Sequence, residues 1–370
     1  MKNIVFDHVK KAYGKTVIIK DLNLEILPGE RLILLGPSGC GKSTTLRMIA
    51  GLEEISGGDL YMDGVRVNDV PCGKRGVSMV FQNYAIYPHM TVKDNITYGL
   101  RARHEDPKEI ERRLKDALEM LRLEPYADRK PKDLSGGQRQ RGALARAIVK
   151  QADYFLLDEP LSNLDAQLRL HARKELVRIH EKYHNTMIYV THDQVEAMTV
   201  ANRIALMNGG DLVMLDTPAN VYNHPEDIFA AKFIGSPSMN IVEASCGDGV
   251  LAIGEGRLTL PQAWADLVRS HPAADGTYMA GIRPEHLFVS HEPQPGRTLQ
   301  GVIKYRENYG SRTGVYVEPL GTDQELIILT DEPLPENGST INFGLDFNKF
   351  HLFDKETQKT LGDPAAAEAV

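Results

Sequence analysis

The sequence predicts an α/β fold, a parallel sheet flanked by helices, followed by a smaller β-rich domain, and three observations carry that prediction. The apolar runs 32–35, 154–157 and 188–191 are short and unbroken, the pattern of strands buried on both faces. Helical stretches separate these runs, which suits the long crossovers that parallel strands require. Beyond Gly235-Ser236-Pro237-Ser238 the pattern changes to short strands, clearest where Ile341, Phe343, Leu345 and Phe347 alternate strictly with other residues.

Taken in order, residues 3–69 read largely as strands forming an antiparallel β subdomain. Asp63-Gly64 between Leu60-Tyr61-Met62 and Val65-Arg66-Val67 is a two-residue hairpin signal. A helical insertion follows over about 83–152. In it Asp106 caps a helix, Pro107 takes the first position and Glu109 completes a capping pattern. Ile110, Leu114, Ala117, Leu118 and Leu121 then form one stripe, read most simply as core. The turn-rich segment at 235–238 places a domain boundary between 1–235 and 236–370, and the last residues, 363–370, are small and acidic and offer little to pack.

Composition narrows the function classes. The 370 residues suit two or three domains at about 150 residues each. A net charge of −7, with 25% charged and 42% hydrophobic residues, is that of an ordinary globular protein and argues against a nucleic-acid partner. The longest apolar runs fall far short of the ~20 residues that span a bilayer. Residues 1–6 lack the basic start and apolar stretch of a secretory signal, and Cys40, Cys72 and Cys246 are scattered without metal-ligand spacing. A reducing, cytosolic setting with three packing cysteines is the expectation.

Gly36-Pro37-Ser38-Gly39-Cys40-Gly41-Lys42-Ser43 stands between an apolar strand and a helix beginning near Thr44, the context of a phosphate-binding loop. Its glycines let backbone N–H groups close around a β-phosphate, Lys42 neutralises β and γ oxygens, and the Ser43 hydroxyl is placed to bind Mg²⁺. Tyr154-Phe155-Leu156-Leu157-Asp158-Glu159 is an apolar strand ending in two carboxylates. Asp158 is the expected Mg²⁺ partner. Glu159, pointing the other way, is the expected group that orients or deprotonates the attacking water. These features describe kinases, helicases, GTPases and transport ATPases alike. Leu134-Ser135-Gly136-Gly137-Gln138 narrows the choice, because it opens a helix carrying Arg139, Arg141 and Arg146 and so makes a second anion-binding helix start.

With that signature the sequence resembles the ABC ATPase family. The resemblance implies a P-loop ABC cassette over 1–235 that binds ATP and Mg²⁺ and works as a head-to-tail homodimer, residues 135–138 of one copy closing over ATP held by the other. Tyr13 resembles the aromatic that stacks on adenine, although strand packing suits it as well. Gln82 resembles the hinge glutamine that touches Mg²⁺ or the attacking water. Ser162-Asn163-Leu164-Asp165 resembles the loop that crosses the dimer interface, and Thr191-His192-Asp193 the switch whose His192 contacts the γ-phosphate. The catalytic set is thus Glu159, His192, Gln82 and Lys42. Nucleotide contacts are expected from Tyr13, Gly36, Ser38, Gly39, Cys40, Gly41, Lys42, Ser43, Thr44, Gln82, Ser135, Gly136, Gly137, Gln138, Asp165 and His192, and metal contacts from Ser43, Gln82 and Asp158. No catalytic position departs from the family pattern, so an active ATPase is expected. Gly142 does depart from it, at a helix position where an apolar β-branched residue is usual.

One phosphate loop, one signature and no membrane span call for separate membrane partners. Tyr84, Ile86, Tyr87, Met90 and Val92 resemble the surface on which permease subunits dock, and core packing accounts for some of them equally well. Gly281-Ile282-Arg283-Pro284-Glu285-His286-Leu287 and the strand-rich run from Gly301 resemble the OB-type accessory domain of carbohydrate-importer ATPases for maltose, other oligosaccharides or glycerol phosphate. That resemblance implies two integral membrane permease subunits, an extracytoplasmic solute-binding protein reached indirectly, a possible regulatory protein on the C-terminal domain, and a peripheral place on the cytoplasmic face of the inner membrane. Related accessory domains also serve importers of polyamines or ions. A soluble ABC clamp acting on ribosomes or DNA would carry two cassettes or a long coiled coil, neither of which is present.

Overall fold

The computed structural model describes residues 3–362 and 364. The acidic tail singled out in the sequence therefore lies, except for Pro364, outside the described residues. The chain forms two compact units, one reaching to Pro218 and one starting at Ala219.

In the first unit a six-stranded sheet runs in the order Asp211–Asp216, Arg203–Asn208, Arg31–Leu35, Thr186–Thr191, Tyr154–Asp158, Val77–Val80. Every neighbouring pair is parallel except the first. The three apolar runs read from sequence are its central strands, and Leu32 to Leu35 are fully buried. A separate four-stranded sheet is antiparallel, in the order Thr16–Ile26, Ile4–Tyr13, Gly57–Met62, Val65–Arg66. Asp63 and Gly64 make its last turn with φ of 54° and 76°, as a tight hairpin with positive φ at both central residues demands. Ile4, Phe6, Leu24 and Leu60 from this sheet share one core with Leu32, Leu34, Ile188 and Val190.

The helical insertion consists of Val92–Ala102, Pro107–Met120 and Gly136–Ile148. The Asp106 side chain accepts the Lys108 N–H as predicted, whereas Glu109 pairs with Arg112 and Arg113 instead of closing a capping box. Two guanidiniums within reach outcompete one backbone donor, and they hold Glu109 down at about 2. Of the predicted stripe, Ile110, Ala117 and Leu121 are buried and Leu114 and Leu118 half-buried.

The second unit holds two five-stranded antiparallel sheets. One has the order Gly256–Thr259, Val250–Ile253, Asn240–Gly247, Thr277–Ile282, Phe350–Asp354. The other has the order Leu287–Ser290, Thr340–Leu345, Leu299–Asn308, Thr313–Pro319, Leu326–Thr330. Both contribute to one core, with Trp264 set edge-on to Phe350. The alternating run stops one step earlier than expected. Thr340–Leu345 is strand, but Phe347 begins a short 3₁₀ turn capped by Asp346 and packs against Phe350.

The packing divides the chain ahead of the expected break at Gly235. Helix Ile228–Phe233 lays Ile228 and Ala231 on Met239 and Phe353. The buried Arg283 guanidinium donates to the carbonyls of Ile234 and Tyr222 and lies 3.7 Å from the Tyr222 ring centroid. The turn at 235–238 therefore falls inside the second unit.

Candidate nucleotide site

The phosphate loop joins strand Arg31–Leu35 to helix Lys42–Ala50. Its backbone needs glycine at two points. A Cβ on Gly36 would stand 2.1 Å from the Met207 carbonyl, and Gly41, at φ +104°, would press a Cβ to 2.4 Å from Ile19 Cδ1. Ser38 and Gly39 are exposed on the loop, whereas Cys40 is buried beneath it. Lys42 is buried, and its ammonium donates to the carbonyls of Gly36 and Pro37, both at 2.8 Å. The loop thus holds one buried cation at the positive end of a helix, an anion receptor in form.

Ser43 Oγ donates to Asp158 Oδ1 at 2.7 Å, and Arg47 Nη2 stands 3.3 Å from Asp158 Oδ2. Asp158 is 3% exposed. A hydroxyl and a carboxylate oxygen side by side fit Mg²⁺, which is bound in such sites by one or two protein oxygens together with substrate phosphates. Among the described residues no group of three or more His, Cys, Asp or Glu side chains is arranged to hold a metal ion.

Glu159 has φ of 43°, and its N–H donates to the Val190 carbonyl. The carboxylate that follows Asp158 thereby faces elsewhere. Glu159 Oε2 accepts Gln82 Nε2 at 2.9 Å, and Oε1 stands 3.3 Å from His192 Nδ1. Asn163 Nδ2 donates to the Gln82 carbonyl at 2.9 Å. The ends of three parallel strands, carrying Gln82, Glu159 and His192, thus meet in one polar cluster.

Tyr13 is 47% exposed, with the Lys11 ammonium 4.4 Å from its ring centroid. Partial burial and a hydrogen bond with Glu53 raise its phenol, and Thr44 and Arg47 stand near enough to oppose that shift. Its ring therefore flanks the helix that follows the phosphate loop. The signature residues form a distinct site: Ser135 Oγ accepts the Gln138 N–H and Gln138 Oε1 accepts the Ser135 N–H, a complete capping box at the start of Gly136–Ile148. Gly137 lies against Leu168, near enough that a Cβ would sit 3.3 Å from Leu168 Cδ1. Asp165 caps helix Ala166–Tyr183 through the Leu168 N–H.

The sequence reading did not single out Arg47, Arg169 or Glu196. Arg47 stands four residues after Ser43 on one helix face, a spacing that signals side-chain proximity. Glu196 is buried and accepts from the Tyr189 and Thr191 hydroxyls, and burial raises its carboxyl. Of the segment after Gln82, Tyr84 and Val92 are buried, Ile86 and Met90 half-buried, and Tyr87 exposed. Beside it opens a cleft of about 480 Å³ lined in part by Leu52, Phe81, Tyr87, Ile96 and Tyr98. Arg146 of the signature helix donates to the Tyr84 and Ala85 carbonyls at the cleft wall. Cys72 also lines this cleft and is exposed, unlike the packing cysteine expected there, because the short 3₁₀ turn at 72–74 has no buried residue.

A phosphate loop, a strand-end carboxylate pair and a second glycine-led helix start on a parallel sheet define a P-loop nucleotide hydrolase. The family described as ABC transporter matches residues 19–162, the MalK OB fold domain matches 235–287 and the TOBE domain matches 280–353. The chain is 46% identical over 360 residues to the maltose/maltodextrin import ATP-binding protein MalK of Photorhabdus laumondii, covering 96% of each chain. It is 45% identical to the oligosaccharides import ATP-binding protein MsmX of Bacillus subtilis, covering 97% of this chain and 99% of the relative. A dimeric structure of the ATP-binding cassette MJ0796 bound to ADP and Pi superposes with a TM-score of 0.53 at 31% identity, over 58% of this chain and 98% of that one. The chain belongs to the ATP-binding proteins of ABC transporters, and it is an ATPase with an OB-type accessory region.

Proposed function

We propose that this ATPase powers an ABC importer for carbohydrates, oligosaccharide or glycerol phosphate, by closing as a homodimer over MgATP at the cytoplasmic face of the inner membrane. The observation that carries the chemical half is the meeting of Gln82, Glu159 and His192 within 3.3 Å beside the Ser43–Asp158 pair. The backbone of 36–41 cradles the phosphates, Tyr13 stacks on the base, and Lys42 exchanges its carbonyl partners for phosphate oxygens. Ser43 and Asp158, with Gln82 near, would hold Mg²⁺, which would neutralise the charge that develops on the transferred phosphate. Glu159 takes the proton of the attacking water or aims it, and His192 fixes that carboxylate while reaching the γ-phosphate.

In the closed dimer, residues 135–138 of one copy cover the γ-phosphate held by the other, using a helix start whose glycines leave the N–H groups accessible. Asp165 sits on the loop that crosses between copies. Two permease subunits dock on the homodimer, one in the apolar cleft near Tyr87 and Tyr98 of each copy, and Arg146 ties the wall of that cleft to the signature helix. The proposed cassette spans 1–235 and the accessory domain 236–370, the segment 219–235 being the part of the cassette that packs in the second compact unit, and the accessory domain braces the dimer or receives a regulatory protein. The carbohydrate assignment rests on the relatives, whose names specify maltodextrin and oligosaccharide import. Purification of the tagged full chain from its native membranes, with mass spectrometry of what accompanies it, tests the proposal. Two integral membrane subunits with a sugar-type solute-binding protein are expected; recovery with an amine- or ion-type binding protein, or with ribosomes or nucleic acid, overturns it.

A further inference from the structure

The loop 162–165 and the switch residue His192 come from different strand ends, yet one side chain joins them. Arg169, in the first turns of helix Ala166–Tyr183, donates through Nε and Nη2 to the Leu164 carbonyl at 3.3 and 3.0 Å. Its Nη1 donates to Asp193 Oδ2 at 3.3 Å. Both ends of this fork are seated on fixed structure. Leu164 is 5% exposed, its Cδ2 at van der Waals distance from where a Gly136 Cβ would be, so it rests on the start of the signature helix. Asp193 uses its other oxygen to cap helix Gln194–Val200 through the Val195 and Glu196 N–H groups, and its own N–H donates to Thr191 Oγ1. Thr191 in turn donates to the buried Glu196 carboxylate at 2.6 Å. His192 therefore sits between two anchored residues, Thr191 and Asp193, and the position of Asp193 is tied to the 162–165 loop through Arg169.

We infer that Arg169 is a positioning residue for ATP hydrolysis: it locks the 162–165 loop to Asp193, so that His192 meets Glu159 only while that loop holds its place. The fork geometry is what the role requires. A guanidinium offers several donors in one rigid plane and can hold a carbonyl and a carboxylate at once, which a lysine ammonium on a flexible stem does poorly. The loop is tethered at its other end by Asn163 to the Gln82 carbonyl. A displacement of 162–165 thus reaches both neighbours of Glu159, Gln82 through one hydrogen bond and His192 through Arg169 and Asp193. The energy of each link is modest, because Arg169 and Asp193 are partly exposed and screened. The role is geometric, and misplacing a catalytic group by about 1 Å is enough to cost on the order of 100-fold in rate.

This inference rests on the reading of Glu159 and His192 as working groups, and steady-state ATP hydrolysis by the full chain separates the two. Four proteins are compared: Arg169→Ala, Arg169→Lys, His192→Ala and the Arg169→Ala/His192→Ala double variant. The expected result for Arg169→Ala is a kcat lowered about tenfold or more with KM for ATP within about twofold, because the lost interaction acts on turnover and not on nucleotide binding. Arg169→Lys is expected to fall nearly as far, since charge without the fork does not hold both partners. In the double variant the second substitution is expected to add less than about twofold to the loss from His192→Ala, the signature of two residues acting through one step. Where Arg169→Ala does not fold, as judged by its thermal transition, Arg169→Gln carries the same comparison. If His192→Ala alone turns over normally, the reading of the site fails and the inference with it. If His192→Ala loses turnover but Arg169→Ala does not, or Lys restores it fully, or the two losses multiply, the inference alone is overturned.

Discussion

The two units of the chain are built from the same apolar residue types, yet they spend their polar residues differently. In the first unit the ends of parallel strands gather Gln82, Asp158, Glu159 and His192, and the loop after Arg31–Leu35 adds Lys42 and Ser43. Parallel strands all end on one side of the sheet, so residues far apart in sequence arrive at one edge. In the second unit both sheets are antiparallel, so successive strand ends lie on opposite sides and no such edge forms. Its buried polar groups serve structure: Arg283 satisfies two backbone carbonyls, and Asn240 exchanges hydrogen bonds with the Ile327 backbone. The lesson is that strand direction, more than residue composition, decides where chemistry collects.

Three substitutions sharpen that contrast. The largest effect is expected at the parallel edge. Glu159→Gln keeps the Gln82 and His192 contacts possible but removes the carboxylate's basicity, so ATP hydrolysis should fall by ~100-fold or more while ATP still binds. Turnover within threefold of the parent would remove Glu159 from its role; nucleotide binding by filter retention and phosphate release would be measured together. In the second unit, Arg283→Ala leaves the Ile234 and Tyr222 carbonyls without their donor and opens a cavity, and a loss of about 3 kcal/mol in the stability of that unit is expected. Denaturant unfolding would read it, and a change under about 0.5 kcal/mol would mean that the buried cation is dispensable there.

The smallest effect is expected back in the first unit, on the signature helix. A Cβ on Gly142 would meet only Ile86 Cδ1 at 3.7 Å, ordinary contact, and its φ is not in the left-handed region. Gly142→Ala should therefore stabilise the protein by about 0.5–1 kcal/mol through a less flexible unfolded chain. A lowered melting temperature would show that the helix needs the glycine for a contact the isolated chain does not make.

Much of the site was legible because its demands are local. The turn at Asp63-Gly64, the caps at Asp106 and Ser135 and the glycines of the phosphate loop each depend on conformations or hydrogen bonds reaching only a few residues along the chain. The buried parallel strands were legible too, since a run such as 32–35 has no polar face to offer water. Glu109 was misjudged because its capping role competes with Arg112 and Arg113 at no distance cost, a contest that pattern alone does not weigh. Phe347 kept the alternation of Ile341, Phe343 and Leu345 but left the strand, because Asp346 caps a 3₁₀ turn that brings its ring to Phe350.

By itself the sequence determined the phosphate loop, the carboxylate-ended strand, the signature helix start and the change from a helix-flanked parallel sheet to a β-rich second part, all set by backbone preference and hydrophobic period over short spans. Only the tertiary structure decided which of these meet. Ser43 and Asp158 are separated by 115 positions, Gln82 and Glu159 by 77, and Glu159 and His192 by 33. It also decided that Arg169 joins Leu164 to Asp193 and that the helix Ile228–Phe233 packs with the second unit. Those contacts follow from strand order and from the competition of many side chains for one core, and no short stretch of chain contains that information.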